Sequence, residues 1–195
     1  NEAKSLANGL VSILKLAKKN KFVLQMGDED MHSKIETFLV KKCGEVGKKI
    51  HTGRSRNDQI ATVIRLFTKD SILLIWTDLL ILIESFHSFA QKYEFIPMPG
   101  YTHTQKAMPS SIGMWAGAFT ESFLDDLIGL KSAYKLNNKS PLGSAAGYGV
   151  PLTLDREFAA KLLGFNELQI NSLYAQNSRG KIEAMVIAAI NSILL

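Results

Sequence analysis

Apolar residues in this chain recur mostly at the three- and four-residue spacing of helices. Between Glu2 and Lys18 they fall at Leu6, Leu10, Ile13, Leu14 and Ala17, with Lys18 and Lys19 at the end where a helix dipole favours cations. Asp30 is a plausible N-cap for a second helix whose face is Met31, Ile35, Phe38 and Leu39 and which Gly44 ends. From Gln59 to about Tyr93 nothing breaks a helix, which predicts a rod about 50 Å long. Its middle, Ile72–Trp76 and Leu79–Ile83, is apolar nearly all round, the pattern of a helix surrounded by others. Ser111 to about Leu136 repeats the pattern through Trp115, Phe119, Phe123, Leu127 and Leu130. Asp155 caps a short helix to Leu163, and a last helix is expected from Asn171 or Ser172 to the end. No segment reads as a strand. The expected fold class is all-α, a bundle of long helices with polar loops at the helix ends. Residues 1–58 read as an N-terminal helical region ending in a polar loop, and 59–195 as the bundle.

Three stretches interrupt this pattern. His51-Thr52-Gly53-Arg54-Ser55-Arg56-Asn57-Asp58 is almost wholly polar and cannot be core. Arg54 and Arg56 offer planar forks suited to carboxylate or phosphate, and Asp58 stands where an N-cap of the long helix would. The residues alone also allow a solvated loop with two surface arginines. Tyr101-Thr102-His103-Thr104-Gln105 lies between Pro99 and Pro109, which predicts a polar loop around a histidine. Ser140–Gly149 is built of glycine, alanine and serine and could present N–H groups to an oxyanion. His32 sits in the first turn of the second helix beside the acidic run Asp28-Glu29-Asp30, where capping or a surface role is the default.

Composition narrows the choices. Lys plus Arg is 23 against 18 for Asp plus Glu, a net charge of +5. That suits an anionic ligand, but the lysines are scattered pairs, so no nucleic acid is expected. One cysteine, Cys43, excludes an internal disulfide and favours a reducing compartment, hence the cytoplasm. No run is apolar and long enough to span a bilayer. The chain begins without methionine and stops in mid-pattern at Ser192-Ile193-Leu194-Leu195, which leads us to expect a piece of a longer protein.

Taken in order and separated by long helices, the three stretches resemble the argininosuccinate lyase/δ-crystallin family of the fumarase/aspartase superfamily. The likeness runs from Asp28-Glu29-Asp30-Met31-His32 onward, and His51–Asp58 is its most specific part. It implies elimination of fumarate and arginine from argininosuccinate by general acid/base catalysis. It also implies no cofactor or metal, and a homotetramer whose active sites are shared between subunits. His103 matches the acid–base histidine. Asn57 and Thr102 match substrate-binding positions, Arg56 and Ser55 would hold the succinyl carboxylates, and Gln105 and His32 are further candidates. Tyr101, where cousins carry arginine, favours argininosuccinate over adenylosuccinate. A non-catalytic δ-crystallin-like scaffold and another lyase of the superfamily, such as adenylosuccinate lyase, are the alternatives. The family's Ser-Ser-x-Met-Pro-Gln-Lys-Lys-Asn-Pro loop, which supplies the catalytic serine in relatives, does not occur in these residues and is expected beyond Leu195. Thr104, Tyr174 and Gly180 depart from the usual pattern.

Overall fold

The computed structural model describes all 195 residues. Its longest element is α3, Arg56–Lys92, an unbroken helix of 37 residues. A β-hairpin, β1 (Pro97–Thr102) and β2 (Gln105–Ser111), reverses the chain into α4, Ile112–Asn137. The two helices run antiparallel along their length. At one end Asn137 Nδ2 donates to the Arg65 carbonyl at 2.9 Å. At the other, Gly113 lies so close to α3 that a Cβ there would come within 2.7 Å of the Ala90 carbonyl oxygen. Ile72, Leu79 and Ile83 of α3, Leu127, Leu130 and Ala133 of α4, and Val186 of α7 (Lys181–Ser192) form the main core. Phe86 packs against Phe119 and Phe123 beyond it, with tilted rings.

A second core lies in the N-terminal region. Ile13 of α1 (Glu2–Ala17), Phe22, and Leu39 of α2 (Met31–Cys43) meet there. Asp30 caps α2 as expected, accepting from Ser33 N–H at 2.7 Å. Gly44–His51 is a 3₁₀ helix.

The bundle is mostly helical, but three expectations need correction. The stretch around His103 is not a loop but a twisted two-stranded ribbon, with Thr102 paired to Gln105 and Pro97 to Ser111. Its faces are mainly exposed, so no alternation of apolar and polar residues marks it, and each strand has a free edge that tolerates Pro99 and Pro109. A short parallel pair, β3 (Lys139–Ser140) with β4 (Glu167–Leu168), was also unmarked; a Lys139–Glu167 ion pair at 2.8 Å supports it. The last helix is two: α6 (Ser172–Asn177) and α7, broken at Gly180, whose φ of 82° no continuing helix accepts. Asn171 caps α6, and Asp155 caps α5 (Arg156–Leu162), both as expected.

The smaller lobe formed by β3, α5, β4 and α6 is fastened to α3 by two buried cations. Arg65 donates to the Lys139 carbonyl and, at 3.0 Å, to Ser178 Oγ. Lys69 donates to the Gly164 carbonyl and lies 4.9 Å from the Phe165 ring centroid. Burial pushes both groups below their ordinary pKa. No helix is long and apolar enough to cross a membrane.

Candidate functional site

The candidate residues divide between the two ends of α3. At its start the cap is Ser55, not Asp58. Ser55 Oγ accepts from Asn57 N–H at 3.2 Å, while Asp58, three residues on, reaches back with Oδ1 to Ser55 N–H at 3.0 Å. This is a capping box with aspartate in the place glutamate usually takes. Asp58 is 0% exposed.

The remaining oxygen of Asp58 explains the small-residue loop. Oδ2 accepts from Gly143 N–H at 3.0 Å and Ala145 N–H at 2.9 Å. Ser144 N–H goes to the Pro141 carbonyl, and the Gly147 and Gly149 N–H groups go to the Ser144 carbonyl. So the expectation that this loop offers N–H groups to an oxyanion is corrected. The loop does form an anion-binding concavity, but the anion in it is the chain's own Asp58. Gln176 holds the loop from the other side, donating to Ser144 Oγ at 3.1 Å and the Ala145 carbonyl at 3.0 Å.

Arg56 also has partners already. Its guanidinium donates to Glu29 Oε1 at 2.7 Å and to Ser33 Oγ at 2.7 Å, and lies 3.3 Å from Asp30 Oδ2. The hydrogen bond to Glu29 raises the Arg56 pKa and, in return, lowers that of Glu29. The Ser33 backbone N–H lowers that of Asp30. Arg56 therefore ties the start of α2 to the start of α3, and brings half-buried His32, one residue before Ser33, to the same mouth. Asn57 is exposed, its Oδ1 accepting from Arg179 at 3.3 Å. His51 pairs with Glu36 at 3.1 Å.

At the far end, His103 and Thr104 form the two-residue turn of the hairpin, with φ of 50° and 62°. Positive φ at both central positions is what a type I′ turn requires, and asparagine and glycine usually supply it. A threonine there is strained. Thr102, His103 and Gln105 are all exposed, and Thr104 Oγ1 donates to the His103 carbonyl at 2.6 Å. Between this tip and Asn57 runs the whole of α3, about 55 Å at the usual rise. One copy of the chain thus brings Ser55, Arg56, Asn57 and His32 together and leaves Thr102, His103 and Gln105 at the opposite end.

A family model described as "Lyase" matches residues 1–190. The chain belongs to this lyase family. Among its curated relatives, the argininosuccinate lyase of Thermotoga neapolitana is 46% identical over 192 residues, which is 98% of this chain and 48% of that protein. That of Phocaeicola vulgatus is likewise 46% identical over 192 residues, or 43% of its length. The chain therefore spans about half the length of the curated relatives it matches. Among solved structures, a variant of EDDS lyase with bound fumarate superposes with a TM-score of 0.89 at 26% identity, over 99% of this chain and 37% of that one. A fumarate lyase:delta crystallin from Brucella melitensis, bound to cobalt, gives 0.76 over 98% of this chain and 47% of that one, and at 17% identity attests the fold alone. Within the family frame, Asp58, Gln176, Arg179 and Glu29 were missed as parts of the mouth. The serine-to-aspartate spacing of a capping box could have marked the local half of Asp58's role. No signal in sequence marks its partners 85 and 87 residues away.

Proposed function

We propose that the protein containing this chain is an argininosuccinate lyase of the cytoplasm, working as a homotetramer. The observation that carries this reading is 46% identity across 98% of the chain to proteins of that name, with His51–Asp58 and Gly100-Tyr101-Thr102-His103 present. The reaction removes a weakly acidic proton beside a carboxylate and expels a guanidinium nitrogen. It needs one group to hold or pass a proton near neutral pH, and donors preorganised for the dianionic carbanion. His103 supplies the imidazole. Thr102 and Gln105 flank it on the hairpin, and Asn57, Ser55 and His32 contact the substrate from the other mouth. Arg56 serves the succinyl carboxylates only by exchanging or sharing Glu29, so its first effect is to orient the loop.

Since α3 separates His103 from Asn57, the complete site takes its hairpin from one copy and its α3 mouth from another packed antiparallel to it. An uncovered apolar stripe at seven-residue spacing on α3, Phe67, Leu74 and Ile81, at 72%, 68% and 61% exposure, supports such packing. Full-length protein incubated with argininosuccinate should release fumarate, read by its ultraviolet absorbance, and His103→Asn should lower turnover by about 10²–10⁴ without changing Tm. Absence of fumarate from folded wild type, or near-normal turnover in the variant, refutes the assignment. Release from adenylosuccinate instead would move the protein to a neighbouring activity.

A further inference from the structure

This inference rests on the lyase reading and concerns Asp58, a fully buried carboxylate at the edge of the substrate mouth. Its two oxygens have separate tasks. Oδ1, on the Ser55 N–H, closes a ring around Ser55, Arg56 and Asn57, the segment that would contact substrate. Oδ2, on Gly143 and Ala145, grips a loop far away in sequence. That loop has positive φ at Gly143, Ala145, Gly147 and Gly149, with 51° at the alanine. Such a conformation is costly for an L-residue and turns two N–H groups toward one point, where an anion stabilises it.

We propose that Asp58 is a positioning residue. It welds the segment 55–57 to the loop 140–149, so that both form one wall of the pocket for a succinyl-bearing substrate. It does not touch the substrate itself. Its local bond sets the backbone that carries Asn57, and its long-range bonds set the loop beside it.

The test is Asp58→Asn in the full-length protein. Whichever way the new carboxamide is turned, its NH₂ faces N–H donors, either at Ser55 or at Gly143 and Ala145. Hydrogen exchange at Gly143 and Ala145 should quicken by about tenfold or more, while amides of Ile72–Ile83 in the α3 core stay protected. KM for argininosuccinate should rise by about tenfold, on the scale of one hydrogen bond to bound substrate lost or misaligned. A defect of folding alone would reduce the active fraction, and with it kcat, at unchanged KM. Unchanged KM, or unchanged exchange at those two amides, overturns the proposal. If Asp58→Asn does not fold, Asp58→Glu keeps the charge but pushes the loop away by one methylene, and the same rise in KM is expected; a wild-type KM there also overturns it. A wild type that releases no fumarate defeats the lyase reading, whatever exchange shows. An active wild type with unaltered variant kinetics defeats only the positioning role.

Discussion

If each site draws His103 and Asn57 from different copies, two inactive variants should repair one another. The perturbation is a pair of single changes, His103→Asn and Asn57→Ala, made in separate batches of full-length protein. Both side chains are exposed and outside the cores, so neither change should disturb folding. The length of α3, 37 residues, separates the two positions by about 55 Å, more than any small substrate bridges. In a randomly reassembled equal mixture, a site is intact when its hairpin comes from the Asn57→Ala copy and its mouth from the His103→Asn copy. Each has a chance of one half, so about a quarter of wild-type fumarate release should return. The assay is dissociation, mixing and reassembly, followed by fumarate release, with unmixed variants and a mixture kept below dissociating conditions as controls. A reassembled mixture no more active than its better parent would refute the shared site, and with it the functional role of one or both residues.

Three further outcomes follow from the packing and the charges. Leu130→Ala should lower unfolding free energy by about 3 kcal/mol, because the side chain is fully buried between α3 and α7; denaturant melts showing less than about 1 kcal/mol would mean the site collapses without a cavity. Thr104→Gly should stabilise the hairpin by about 1 kcal/mol by relieving a left-handed threonine, and slower amide exchange in β1 and β2 would register it, whereas faster exchange would contradict the strain argument. The carboxyls of Asp28, Glu29 and Asp30 are held low by Lys34, Arg56 and the Ser33 N–H respectively. Their stabilisation is therefore complete above the ordinary carboxylate range, near pH 4, and is lost as pH falls through the lowered values. Tm of Glu29→Gln should accordingly fall less steeply than wild type on acidification, and parallel curves would show that the Arg56 pair contributes nothing.

Much of the bundle was legible because helices announce themselves locally. The periodic faces of α2, α3 and α4 and the caps at Asp30, Asp155 and Asn171 depend on residues within one or two turns of each other. The hairpin was not legible. Its strands are exposed, proline-bearing and mutually paired, so their only signature lies in each other. The break at Gly180 was similarly hidden, because glycine within an apolar pattern reads as tolerated until its φ is known.

The same division runs through the site. Sequence by itself identified the polar stretches, the residue types fit for a multiply charged acid, and the family to which they point. Those are properties of short segments, where the side chains present decide what chemistry is possible. Only the tertiary structure decided which groups remain free to do it. It gave Arg56 to Glu29 and Ser33, filled the loop at Gly143–Ala145 with Asp58, and set His103 a full helix away from Asn57. Hydrogen bonds between residues more than 80 positions apart, and the rigid length of one helix, are consequences of where the chain folds back, and local sequence does not record them.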